Sequence, residues 1–378
     1  MPELVVLVEQ LLAPVPGGTG RYIRELAAAL VATAPAGWTV SSAVARHGDP
    51  SPAIVPGVDG PKMLPLPRRA LIAAWERGVP LWPGGDAVHA PTPLAPASPR
   101  RGHSLVVTVH DTVPWTHPET LTKRGAAWHR KVIGRAVNQA SAIVVPTSTV
   151  SAELTQHAPG LARVHVVGHG VPQALAQPPD AEAADRVRHR LRLPDRYVLV
   201  VGTMEPRKGL DVLISAMARP SAPDLPLVVV GPTGWGKVSP TAFAQRHGLA
   251  AERLHLLGEL TDTELAVVLY GATVLVAPSL AEGFGLPVLE AMAAGVPVVH
   301  SDAPALIEVA GGTGFLARRS DPPALVSALR TVLDDPARTA AKVAAAQRRA
   351  ARFTWTHAAE QMWNLHRQLY QAARTGLV

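Results

Sequence analysis

The sequence has no cysteine in 378 residues, which excludes disulfides and thiolate metal sites and makes a reducing, cytoplasmic compartment the simplest expectation. Charged residues are few, at 17%, which excludes a disordered, self-repelling chain. No apolar stretch is long enough to span a bilayer, so any membrane contact is expected to be peripheral. Asp-x-Asp and metal-spaced histidine clusters are also missing, so no metal is expected. The opening segment Pro2–Leu12 lacks a basic flank, and its short apolar run is broken by Glu3, Glu9 and Gln10. It reads as a buried strand rather than a signal peptide.

What is present is a chain rich enough in apolar residues, 47%, to fill a sizeable core, and too long for one core to be the default. The net charge of +7 and sequence pI near 10.1 point to an anionic partner. Short Val-rich runs recur at Leu4–Val8, Ser104–Val109, Ala142–Val145, Val164–Val167, Tyr197–Val201, Leu227–Val230, Arg253–Leu257, Val274–Ala277 and Val296–His300. Each is followed by a turn and a helical pattern, the mark of parallel sheets covered on both faces. The fold class is therefore α/β. Gly168–Asp180 interrupts the rhythm and is read as the interdomain linker, giving domains over 1–175 and 176–354. A helix is expected in 355–378. Two Pro-rich stretches, Asp49–Pro67 and Pro91–Arg101, read as surface loops.

Several strand-to-helix connections carry candidate chemistry. In the run from Val274 to Gly295, Glu282-Gly283-Phe284-Gly285-Leu286-Pro287 forms a glycine loop before a short helix, with Pro287 in its first turn and Gly295 just past its end. The helix start offers free N–H groups and a positive dipole end suited to phosphate. Glu282 and Glu290 frame it, and a carboxylate can accept from paired hydroxyls such as those of a ribose or hexose. In Gly202-Thr203-Met-Glu205-Pro206-Arg207-Lys208-Gly209, two adjacent cations follow a parallel strand, at the edge where such sheets bind ligands. As mere surface groups they would be disfavoured at a helix start.

Three more segments are weaker alone. Pro16-Gly17-Gly18-Thr19-Gly20, ahead of the expected helix Ile23–Ala32, makes a tight turn but does not fit Gly-x-Gly-x-x-Gly. His110-Asp111 ends a buried strand, and Ser148 and Ser151 follow another, where hydroxyls also cap helices. Gly231-Pro-Thr-Gly-Trp-Gly236-Lys237 fits the first seven positions of a P-loop, but Val238 replaces the metal-binding hydroxyl and Pro240 cuts the following helix. It reads as a chance match.

Glu-x7-Glu around Gly-Phe-Gly-Leu-Pro, together with Glu-Pro-Arg-Lys, resembles the retaining glycosyltransferases of family four, and the likeness runs over nearly the whole chain. It implies a GT-B fold of two Rossmann-like domains facing a cleft, with the tail helix crossing back to the first. It assigns Glu282 to donor-sugar hydroxyls, Glu290 to the ribose, and the backbone of Gly283, Phe284, Gly285 and Leu286 to sugar or phosphate. Arg207 and Lys208 would hold the diphosphate. Thr203 stands where many relatives have a further arginine, in a loop one residue shorter. Gly18 would approach the donor phosphate, His110 the donor sugar, Gly231 the nucleotide, and Leu257–Thr261 the base.

The expected activity is thus metal-independent, retaining transfer of a hexose from a nucleotide-diphosphate sugar to a hydroxyl acceptor, in polysaccharide or glycolipid biosynthesis. Mannose from GDP-mannose is named from overall likeness to bacterial mannosyltransferases. The acceptor is a glycan or a lipid-linked glycan, and no nucleic-acid partner is expected. Lys123, Arg124, Arg130, Lys131 and Arg135, with Trp128, form a basic stretch that could rest on an anionic membrane at the inner face of the plasma membrane. The rivals are an epimerase or phosphorylase on the same architecture, which would not need Glu-x7-Glu, and a noncatalytic nucleotide-sugar-binding or membrane-adaptor protein.

Overall fold

The computed structural model describes residues 1–236 and 238–375, and the chain divides into two compact units. The first comprises Met1–Gly170 and the segment from Thr354 onward, the second Val171–Phe353. The first holds seven parallel strands: β1 (Glu3–Leu7), β2 (Thr39–Arg46), β3 (Asp59–Pro67), β4 (Ala87–Ala90), β5 (Ser104–Thr108), β6 (Ala142–Val145) and β7 (Arg163–Val166), in the order β3-β2-β1-β4-β5-β6-β7. The second holds β8 (Val198–Val201), β9 (Leu227–Val230), β10 (Leu254–Gly258), β11 (Val274–Ala277), β12 (Val298–Ser301) and β13 (Phe315–Ala317), all parallel, ordered β10-β9-β8-β11-β12-β13. Helices used below are α1 (Gly17–Ala32), α2 (Lys123–Gln139), α3 (Leu210–Met217), α4 (Leu286–Ala294) and α5 (Trp355–Thr375). Each unit is thus a Rossmann-like α/β sheet. Central strands are buried along most of their length, as at Leu4–Val6, Ala142–Val145 and Leu227–Val230, because helices cover both faces.

Three expectations are corrected. The stretch Asp49–Pro67 is not all loop, for Asp59–Pro67 is the edge strand β3. An edge tolerates its three prolines because one side of the strand needs no ladder donors. The glycine run at Pro16–Tyr22 is not a loop before a helix at Ile23, since α1 already begins at Gly17. The unit boundary falls after Gly170 rather than after residue 175, because Leu175 is fully buried in the second core beside Tyr197 and Leu269, and the Val171 amide donates to the Phe353 carbonyl.

The tail helix α5 is built into the first unit. Ala359 and Met362 are fully buried, the Trp363 indole donates to the Leu30 carbonyl at 3.0 Å, and Trp38 meets both Trp363 and Tyr370 edge to face. Deeper, His366 on α5 lies 3.3 Å (Nε2) from His89 Nδ1 on β4, and both rings are fully buried. Burial pushes both histidines down, His366 to about 3 and His89 well below its usual range, the latter also by repulsion from His366 and His110. Such a histidine binds fewer protons folded than unfolded, so stability falls as pH drops below the unfolded value of about 6.5. We expect the urea midpoint to decrease steadily from pH 7 to 5, and His366→Gln to remove up to about 1.4 kcal/mol per pH unit from that slope. Equal slopes for the two proteins would show that His366 is not buried neutral.

Candidate functional site

In a parallel sheet every strand delivers its chain to the same edge, so the loops after β9, β8, β11 and β12, neighbours in the second sheet, can interlock. They do. Gly209, at φ +68°, lies so close to the next loop that a Cβ would sit 2.2 Å from the Pro278 carbonyl oxygen, leaving glycine as the one residue the position accepts. The Leu280 amide donates to the Arg207 carbonyl at 2.7 Å, and Ser301 Oγ donates to the Ser279 carbonyl at 2.6 Å. The loops carrying Arg207-Lys208 and Glu282 are therefore held together by backbone contacts, independently of their charges.

Those charges meet at Glu282. Lys208 Nζ donates to its Oε1 at 2.6 Å, Ser279 Oγ to the same oxygen at 2.7 Å, and Arg207 Nη1 to Oε2 at 3.1 Å and to the Ala281 carbonyl at 3.1 Å. Arg207 Nε also pairs with the buried Glu205 at 2.7 Å. Burial opposes ionisation of Glu282, but the Lys208 and Arg207 charges and the Lys208 and Ser279 hydrogen bonds outweigh it and hold the carboxyl at about 2. Two cations face two carboxylates, so the cluster is electrically balanced rather than a bare positive patch.

Beside it, α4 is preceded by Gly285, which has φ +95° and offers no side-chain cap. Pro287 has no N–H, and the Val288 and Leu289 amides donate to the Gly285 carbonyl at 3.0 and 3.2 Å, so the Leu286 amide is the one that the first turn can offer a ligand. Thr203, Lys208, Glu282 and Gly285 line one pocket that is open to solvent. The Phe284 side chain is not at this surface: it is 5% exposed and meets Phe353 edge to face. Glu290 is 1% exposed within α4. Sequence spacing had placed Glu282 and Glu290 as a pair on one ligand, and the cavity lining includes only the first.

The P-loop-like glycines have a structural account. The loop after β9 runs along the loop after β8, bridged at Met204 and Thr233. A Cβ at Gly231 would meet the Gly202 carbonyl oxygen at 2.1 Å, one at Gly234 the Met204 carbonyl oxygen and Thr203 Cγ2 at 2.7 Å, and one at Gly236 the Pro206 Cγ at 2.4 Å. Close loop packing requires all three, whatever they bind. Lys237 lies outside the described residues. Thr261 caps the following helix in a capping box with Glu264.

In the first unit, His110 Nε2 donates to the Pro91 carbonyl at 2.8 Å. Its ring stands edge-on to Tyr22, and burial, opposed by the Pro91 hydrogen bond and the Asp111 charge, lowers its proton affinity. Gly18 is exposed in the first turn of α1. At the Ser148 strand end the helix cap is Thr147, whose Oγ1 accepts from the Val150 amide at 3.2 Å. The basic helix α2 is partly committed within its own unit. Arg130 donates to the Pro114 carbonyl, Arg135 to the carbonyls of Trp75 and Glu76, Trp128 to Glu76 Oε1, and Lys131 pairs with Glu76. Arg135 thereby satisfies carbonyls at a helix C-terminus. Lys123, Arg124, Arg130 and Lys131 are exposed, and of these Lys123 and Arg124 take no part in the contacts just described.

Sequence reasoning missed Glu205, Ser279, Tyr22 and His169. Glu205 stands in the Glu-Pro-Arg-Lys run and Ser279 three residues before Glu282, so both had a local signal. Tyr22 and His169 meet only through the sheet, at 4.6 Å between ring centroids, and no spacing links them.

Comparison with known proteins agrees with the fold. The family model described as glycosyl transferases group 1 matches residues 181–352, and that described as Glycosyltransferase Family 4 matches residues 16–175. A D-inositol 3-phosphate glycosyltransferase of Catenulispora acidiphila is 32% identical over 296 residues, covering 72% of this chain and 69% of the relative. The MMP alpha-(1->4)-mannosyltransferase of Mycolicibacterium hassiacum is 33% identical over 63% of this chain and 58% of its own length. Among solved structures, sucrose-phosphate synthase from Thermosynechococcus elongatus superimposes with a TM-score of 0.77 at 25% identity, over 98% of this chain and 100% of that one. Anabaena HepE in complex with UDP and glucose gives 0.74 at 19% identity over 97% and 99%, a likeness of fold alone.

The ion cluster makes a direct prediction. Replacing Lys208 by Met removes the largest influence holding Glu282 ionised, so its carboxyl titration, followed by carbon NMR, is expected to rise from about 2 by about one to two pH units. A carboxyl still titrating near 2 would show that the pairing does not exist in solution.

Proposed function

Because the chain belongs to glycosyltransferase family four, we propose that it transfers a hexose from a nucleotide-diphosphate sugar to a hydroxyl of a glycan or lipid-linked acceptor, with retention and without a metal. The observation that carries this reading is Glu282, clamped by Lys208 and Arg207 in the lining of a pocket that the start of α4 also borders. Lys208 spends one of its N–H groups on Glu282 and has two further donors for a phosphate oxygen. The start of α4 adds a positive dipole end that no side chain caps, with the Leu286 amide as its donor. As the bond to the diphosphate breaks, charge grows on its oxygens, and donors already oriented by the cluster stabilise it with little reorganisation. With its two cations matched by Glu205 and Glu282, the site favours the leaving diphosphate by directed hydrogen bonds more than by net charge.

Glu282 serves this reading as an acceptor for sugar hydroxyls. Both of its oxygens already accept from Lys208, Ser279 or Arg207, which makes the carboxylate a poor nucleophile. That favours attack by the acceptor hydroxyl on the face the diphosphate leaves, over a covalent sugar–enzyme intermediate. His110, Gly18, Glu290 and Gly231 enter by resemblance, His110 at the donor sugar and Glu290 at the ribose. Mannose as the transferred sugar is supported by relatives named as mannosyltransferases, and GDP as its carrier enters by resemblance. A cytoplasmic reaction at the inner face of the plasma membrane belongs to the same reading, with Lys123 and Arg124 as the cations of α2 left to meet an anionic surface.

Thermal-shift titration against GDP-, UDP- and ADP-sugars is expected to show the largest stabilisation with GDP-mannose, and incubation with acceptor or water should release GDP. Glu282→Gln should lower kcat by about 10²–10³-fold, with the product anomer, read by NMR, matching the donor's. Stabilisation by UDP-sugars alone would overturn the donor, and binding with neither transfer nor hydrolysis would overturn the enzyme reading.

A further inference from the structure

At the C-terminal edge of the first sheet, four rings from distant parts of the chain converge. Tyr22 comes from α1, His110 from the loop after β5, His169 from the loop after β7, and Trp355 is the first residue of α5. The Tyr22 ring meets His110 edge-on, with centroids 4.7 Å apart and planes at 85°, and lies 4.6 Å from His169. His169 stacks on Trp355 at 5.8 Å and 15°, and sits 5.9 Å from His110. Tyr22, His169 and Trp355 are 2%, 4% and 7% exposed, and His110 alone of the four is not fully buried. The three are therefore behind His110, out of reach of a ligand.

The cage is itself braced. Tyr22 Oη lies 3.3 Å from Thr108 Oγ1, which lies 3.2 Å from His89 Nε2, and His89 continues to His366 on α5. Gly170, next to His169, lets the chain approach α5 so closely that a Cβ would meet the Trp355 amide nitrogen at 2.2 Å. A purely space-filling core would use aliphatic side chains. Here a hydrogen-bonded chain ends on Tyr22 and a ring stack on His169, and both of those rings meet His110.

His110 Nε2 faces a carbonyl oxygen, that of Pro91, which can only accept, so this nitrogen carries the proton. In the neutral ring Nδ1 then has a lone pair and can only accept. We infer that Tyr22, His169 and Trp355 are positioning residues for His110, holding its ring with Nε2–H on Pro91 and Nδ1 presented as an acceptor for a donor-sugar hydroxyl. The second half of this inference rests on the assignment of His110 to the sugar made above, and the first half does not. The titratable groups that face it are Asp111 in its own loop, His169 after β7 and Tyr22 from α1, and its charge would repel those of His169 and of His89 on β4. Burial of His110 and His169 keeps both neutral. An imidazolium would lose the acceptor at Nδ1.

Two measurements test this on the full chain. Long-range nitrogen–proton NMR of ligand-free protein is expected to show His110 protonated on Nε2. His169→Ala should average the two tautomers and raise the titration of His110 toward about 6.5, and His169→Phe, which keeps a flat ring on Trp355, should restore the wild-type pattern. In kcat/KM profiles with the nucleotide-sugar donor, the acid limb of His169→Ala should move up by about one pH unit and that of His169→Phe should not. Near-UV circular dichroism confirms that each variant is folded. An Nδ1–H tautomer in the wild type, or unchanged His110 signals in folded His169→Ala, would overturn the positioning role. Altered signals with an unmoved acid limb would establish the positioning and overturn the assignment of His110 to the sugar.

Discussion

Glu282 sits in a loop with a carboxylate only 10% exposed, and the second unit's candidate site depends on how that charge is tolerated. Removing a carboxylate from water costs several kcal/mol unless donors replace the lost hydration. Lys208, Ser279 and Arg207 supply those donors. Each comes from a loop at the same sheet edge, so the charge can be buried only if the loops after β8 and β11 approach closely. Gly209 and the backbone bond from Leu280 to Arg207 make that approach. Glu205 then balances the second cation, and the cluster becomes rigid and neutral overall.

This balance changes how recognition of a diphosphate is understood. A pair of free cations would attract any anion, with strength falling steeply in salt. A matched cluster instead offers oriented donors whose remaining capacity suits a particular oxygen arrangement. The uncapped start of α4 adds to it without introducing a mobile charge. The first unit uses a different device at its own sheet edge, where buried rings rather than ions orient a polar group. An imidazole kept neutral by its surroundings can have a defined hydrogen-bonding direction, which an exposed and titrating one would not.

Much of the strand content was readable, because central strands of a parallel sheet are buried on both faces and show as Val-rich runs. The strands that escaped were β2, β3, β4 and β13. β3 carries three prolines at an edge, β2 holds two serines among its apolar residues, and β4 and β13 have four and three residues. None presents the continuous apolar run that identifies its neighbours. The glycines of the P-loop-like stretch carried an ambiguous signal for a physical reason. Close backbone approach to a phosphate and close approach to another loop make the same demand on a residue, the absence of a Cβ, and here the loop after β8 accounts for it.

Local order of residues was enough to mark Glu282, Arg207 and Lys208 as belonging to loops at strand ends, since strand, glycine turn and helix follow from nearest-neighbour conformational preferences. It was also enough to place the chain beside the family-four glycosyltransferases. Which side chains share a hydrogen bond was decided by the tertiary structure. Lys208 and Glu282 are 74 residues apart, His89 and His366 are 277 apart, and only the order of strands in each sheet brings such residues to one edge. The same long-range packing committed part of the basic helix α2 to carbonyls and a carboxylate of its own unit, and it turned Phe284 inward. Those outcomes depend on what each side chain meets across the fold, a quantity that the neighbouring residues in the chain do not contain.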